Sequence, residues 1–165
     1  MGAGQILFIQ GGGASAHDVH YPRMPAEDDS SYTTWSAAVR RELAILDGCA
    51  VVGHSVGGTI LIQVLADRPL DPAPEAVALI AAPFVGAGGW PGDEFALSHD
   101  LGTRLPPDVR VEVFHGLADR TVPPSHADLY ARAIPQAHLH LLPGRDNQLN
   151  NDLAEVAKVI VRQCR

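Results

Sequence analysis

Basic side chains are scarce in this chain: 12 Lys and Arg stand against 19 Asp and Glu, for a formal net charge of −7. With no cluster of Lys or Arg, nucleic acid and anionic membrane surfaces are repelled rather than drawn in. Cysteine is nearly absent. Cys49 and Cys164 are the only two; they make no disulfide framework and fall in no CxxC or other metal-ligand spacing, so they read as thiols in a reducing cytoplasm, Cys49 as a small core residue. Long apolar runs are missing too. ILFIQ near the start is too short for a signal-peptide core, and no run approaches the roughly 20 residues a membrane helix needs. Ile6 stands where a myristoylation signal wants Ser or Thr.

What remains is the profile of one globular domain, 165 residues with 46% hydrophobic and 19% charged side chains, long enough to bury a core and too short for a second. Apolar, β-branched runs recur at 6–10 (ILFIQ), 49–54 (CAVVGH), 76–82 (AVALIAA), 109–115 (VRVEVFH) and 138–142 (HLHLL). Between them lie helical patterns at Tyr32 to Leu46, Val56 to Asp67, Ser125 to Ile134 and Leu153 to Gln163, the last with Asn151 or Asp152 placed to cap its first turn. Such alternation predicts an α/β fold, a mostly parallel central sheet flanked by helices. Residues 83–107, rich in Gly and Pro, read as a lid-like loop. One connection is too short. Only ten or so residues separate Gln10 from a possible second strand near His20 and Tyr21, whereas a parallel crossover needs a dozen or more, usually a helix.

The segment GHSVGG, residues 53–58, carries G-x-S-x-G between the apolar strand CAVV and a helical pattern. In that motif the serine stands on a sharp strand-to-helix turn, and its flanking glycines allow close backbone approach. Ser55 is thereby the candidate nucleophile.

With FIQGGG after the first strand, HGLADRTVP after a later one and LPGRDNQ after the last, the chain resembles the α/β-hydrolase family over nearly its whole length. The resemblance implies a reduced version of that fold, lacking the usual first covering helix. Asp119, in the HGxxDxxVP-like segment with His115, Gly116, Val122 and Pro123, takes the role of the triad acid; the alternative is a turn aspartate capping the helix near Pro124 or Ser125. The oxyanion donors would be the backbone N–H groups of Val56 and Gly12. Phe84 and Trp90, in PFVGAGGWPGDEF, would line an acyl pocket or belong to a structural lid. The loop GGGASA also satisfies the dinucleotide pattern GxGxxA, but AHDVHYPRMP has no helical period to follow it.

The base is missing. The resemblance places the catalytic histidine where Asn147 stands, within PGRDNQLNND. Asparagine has no titratable proton in the working range and cannot relay one. Of the other histidines, His17 is the best substitute because its loop is the oxyanion loop. His138 and His140 read as packing or edge residues, His54 points away from the substrate, His115 precedes Asp119, and His126 starts a helix. H-x-x-H at 17 and 20 and H-x-H at 138 and 140 lack a third metal ligand.

The expectation is therefore a serine-hydrolase-type protein for a small carboxylic ester or related acyl substrate, impaired at Asn147, with no metal or organic cofactor. A catalytically inactive scaffold that binds a ligand or protein is the alternative. An absent covering helix exposes apolar sheet and favours a homo-oligomer or marginal stability.

Overall fold

Strand and helix alternate along the chain as the hydrophobic periods require. The computed structural model describes residues 5–9, 19–20, 22–26, 31–46, 48–68 and 70–164. Its elements are β1 (Gln5–Ile9), β2 (Val19–His20), α1 (Tyr32–Ile45), β3 (Gly48–His54), α2 (Val56–Asp67), β4 (Ala76–Ile80), α3 (Leu101–Arg104), β5 (Arg110–Gly116), α4 (Ser125–Ala133), β6 (His138–Leu142), a 3-10 turn (Leu149–Asn151) and α5 (Ala154–Gln163). The strands form one sheet in the order β2-β1-β3-β4-β5-β6. Every pairing is parallel, including β1 with the two-residue β2. The second strand is therefore present; residues 10–18, which lead to it, lie outside the described residues, as do Gly12 and His17.

Period-two alternation sends successive side chains to opposite faces. Val51, Val77, Leu79, Val111 and Val113 face Trp35, Val39, Leu61, Leu65 and Tyr130 of α1, α2 and α4. Phe8, Ala50, Val52, Ala78, Ile80 and Phe114 face Leu149, Val156 and Ile160. α5 thus covers the second face with a narrow apolar stripe, Val156 and Ile160, one turn apart. Phe8 is nonetheless buried, so the apolar surface expected to lie open is closed at this position.

Local signals end the helices where they should. Ser31 caps α1 by accepting from the Thr34 N–H at 3.3 Å, and Asp152 accepts from the Ala154 N–H at 3.0 Å ahead of α5. Nearly all of α2 is buried, from Gly57 to Ala66. The 83–107 stretch is irregular apart from α3 and a bridge between Val85 and Trp90, but Leu97, Leu101 and Leu105 anchor it in the core.

Cys164 corrects an expectation. It is disulfide-bonded, not a thiol, and the reading of a reducing compartment loses its support. Spacing rules compare sequence neighbours, whereas folding packs the end of α5, Cys164 included, against the sheet. The side chain of Cys49 lies outside the described residues. Among the described residues no helix is long and apolar enough to cross a membrane.

Candidate active site

In this strand order the chain steps from β1 to β2 on one side and then crosses to β3 on the other. The carboxyl ends of β1 and β3 thus flank the switch point at which open parallel sheets bind ligands. Ser55 follows β3 at that point. Its φ of 54° and ψ of −132° are costly for a residue with a side chain and persist only where surroundings over-determine them. The surroundings do so. Ser55 N–H donates to the Ile80 oxygen at 2.8 Å, and the Ser55 oxygen accepts from Gly58 N–H at 3.0 Å. A Cβ on Gly53 would lie 2.4 Å from the Gly58 Cα, and one on Gly58 would lie 2.8 Å from the Gly53 oxygen. Val56 opens α2, where no acceptor within the helix is available to its N–H.

Asp119, in the turn after β5, is buried. Its Oδ1 accepts from Thr121 N–H at 2.8 Å and Val122 N–H at 2.9 Å. The carboxylate organises its own turn in this way, rather than capping α4. Oδ2 accepts from Asn147 Nδ2 at 2.9 Å and lies 3.3 Å from His115 Nε2. Because that nitrogen is also 2.9 Å from the Val122 oxygen, which can only accept, it carries the proton and is shared between the two acceptors.

Asn147 is held from the other side as well. His54 Nε2 donates to its main-chain oxygen at 2.9 Å. The loop around it is tied down: Ala118 N–H donates to the Arg145 oxygen at 2.9 Å, Asp146 Oδ1 accepts from the N–H groups of Gln148 and Asn150, and Leu149 is buried. Ser55, Asp119 and Asn147 follow the carboxyl ends of β3, β5 and β6, with β4 between the first two. Among the described residues, no hydrogen bond joins Ser55 Oγ to Asn147.

The other histidines divide by place. His126 is buried in the first turn of α4, with Nδ1 accepting from Phe84 N–H at 2.8 Å and Trp90 edge-on at 5.6 Å. Phe84 itself packs in the core, edge-on to Tyr130 at 5.2 Å, while Trp90 is 36% exposed. His138 and His140 lie on the edge strand β6, away from Ser55. There His140 Nε2 sits 2.6 Å from Glu112 and its ring stacks on Phe114 at 4.4 Å. Among the described residues no group of His, Cys, Asp or Glu is arranged to hold a metal ion. Two contributors were passed over in the sequence, His54 and His115. Both stand beside motif residues, but one-dimensional order does not say where their rings point.

Burial lowers the pKa of His54 and of His126, in the latter with help from His115. Both are harder to protonate in the fold than in the unfolded chain, which takes up their protons near the ordinary histidine value. As pH falls through that value the unfolded state takes up more protons than the folded state, so stability is full above it and is lost on acidification. Melts between about pH 7 and pH 5 should show a falling Tm. The double variant His54→Gln/His126→Gln should flatten that fall.

Comparison with known proteins gives no matching family model and no curated relative by sequence. Solved structures do match. An α/β-hydrolase enzyme from the metagenome of lagoon sediments at Mar Chica, Morocco, superposes with a TM-score of 0.69 at 16% identity, over 98% of this chain and 90% of that one. The chain has the α/β-hydrolase fold. A meta-cleavage product hydrolase from Pseudomonas fluorescens also shares the α/β-hydrolase fold with it at TM-score 0.69 and 14% identity, over 98% and 90% of the two chains. The esterase domain of a Rhodothermus marinus protein matches at TM-score 0.56 and 24% identity over 78% of this chain, which spans 65% of that domain's length.

Proposed function

We propose that the chain is a serine-hydrolase-type protein for a small carboxylic ester or related acyl substrate, with turnover suppressed at Asn147. The observation that carries this reading is the 2.9 Å bond from Asn147 Nδ2 to Asp119 Oδ2. It is the bond by which a triad acid orients an imidazole, made here by a side chain that cannot take a proton. Ser55, on its strained turn, would attack the acyl carbon, and the oxyanion would form against the N–H of Val56 and of Gly12. The serine proton then has nowhere to go but water. Turnover of activated esters is therefore slow, and no cofactor enters the scheme.

A second reading is a silent scaffold that binds an acyl ligand or partner at the same crevice. It is favoured by how fully the Asn147 amide satisfies Asp119, since a vacated base position need not retain such a fit. The experiment that separates the readings is labelling by a fluorophosphonate probe and p-nitrophenyl acetate turnover, in the parent chain and in Asn147→His. Gain of both by the variant supports the hydrolase; silence of both supports the scaffold and removes Ser55 from its role.

Either reading predicts a cost for removing the amide. In Asn147→Leu the buried Asp119 Oδ2 loses its 2.9 Å donor and keeps only the longer contact to His115. Leaving a buried acceptor short should lower stability by about 1–3 kcal/mol, read in denaturant melts. Asn147→His, which keeps a donor there, should stay close to the parent.

A further inference from the structure

His54 closes β3 immediately before Ser55, and its ring is buried. The Asn147 main-chain oxygen, 2.9 Å from Nε2, can only accept, so Nε2 carries the proton. Nδ1 is then a bare lone pair, buried and without a partner among the described residues. Burial holds the ring below its ordinary pKa, opposed by the Asn147 carbonyl and the Asp119 carboxylate, and the ring is neutral. Native structures seldom leave a buried polar atom unpaired; here the ring tolerates that at Nδ1 and makes its one bond to residue 147.

Among the described residues, the loop's remaining bonds do not reach β3. Arg145 donates to the Leu149 oxygen and to Asp152, Asn150 Nδ2 donates to the Gly144 oxygen, and Ala118 ties Arg145 to the turn after β5. Leu149, Asn150 and Asn151 all lie in the left-handed region, with φ of 52°, 56° and 58°. That strained run needs outside anchors. Residue 147 is consequently gripped from two strands, by its side chain from the β5 turn and by its main chain from β3.

We propose that His54 is a positioning residue: by donating Nε2–H to the main-chain oxygen of residue 147, it sets the placement of whichever side chain stands at 147 relative to Ser55 and Asp119. The consequence for turnover rests on the hydrolase reading. The geometric role does not.

The test uses the full chain in two arms. By NMR, water exchange of the Asn147 side-chain amide protons is compared among the parent, His54→Gln, which keeps a donor, and His54→Phe, which keeps shape alone. Exchange should be slow in the first two and about tenfold faster in the third, the effect of about one hydrogen bond. In the Asn147→His background, His54→Phe should lower kcat by about tenfold with KM nearly unchanged, and His54→Gln should recover most of it. Equal exchange in all three chains overturns the proposal. So does a parent His54 found protonated on Nδ1 by its ring 15N shifts, a measurement that needs no variant to fold. If amide exchange follows the expected order while Asn147→His is inert, His54 keeps its role and the hydrolase reading falls.

Discussion

Asn147→His raises p-nitrophenyl acetate turnover by roughly 10³-fold or more, because loss of a triad member costs up to about 10⁶ and a grafted one rarely recovers it all. The site is prepared for the ring. Asp119 Oδ2 already faces residue 147 at 2.9 Å, so Nδ1–H of the new imidazole would replace the amide N–H and leave Nε2 to take the serine proton. The new activity should rise with pH through roughly 6 to 7, since only the neutral imidazole is a base. Initial rates across that range check it. Ser55→Ala in the same background should abolish the gain; a gain that survives it belongs to another nucleophile and sinks the assignment.

Gly53→Ala should cost the fold heavily in stability. The added carbon would stand 2.4 Å from the Gly58 Cα and 2.8 Å from the Gly58 nitrogen, both backbone and both in the first turn of a buried helix. Overpacking against movable side chains costs about 1–3 kcal/mol. Here neither strand nor helix can retreat without breaking the sheet pairing of β3, so the cost should exceed that range, read as a loss of soluble chain or a Tm drop of more than about 10 °C. A near-parental melt would show the turn to be looser than its φ of 54° at Ser55 requires.

Much of the architecture was legible in order alone. Val56–Asp67 was readable to the residue as α2, because the turn at Ser55 ends the strand before it and its apolar period runs unbroken. The 138–142 strand was equally plain. Harder was the second strand, two residues long, which carries no period of its own and exists only because β1 offers it an edge. Phe84 shows a different limit. Its neighbourhood of Gly and Pro reads as surface loop, yet the ring is 4% exposed, since Pro83 is fixed by the hydroxyls of Thr59 and Tyr130.

By itself the sequence determined the alternating α/β plan and the sharp strand-to-helix turn at Ser55, because each rests on local period or local backbone geometry. Only the tertiary structure decided that Asn147 bonds Asp119, that His54 and His115 turn inward to hold the pair, and that Cys164 is bridged. Those facts depend on which strands lie side by side and in what register. A hydrogen bond ranges over about 3 Å of space, and residues brought that close from β3, β5 and β6 are separated in the chain by whole elements.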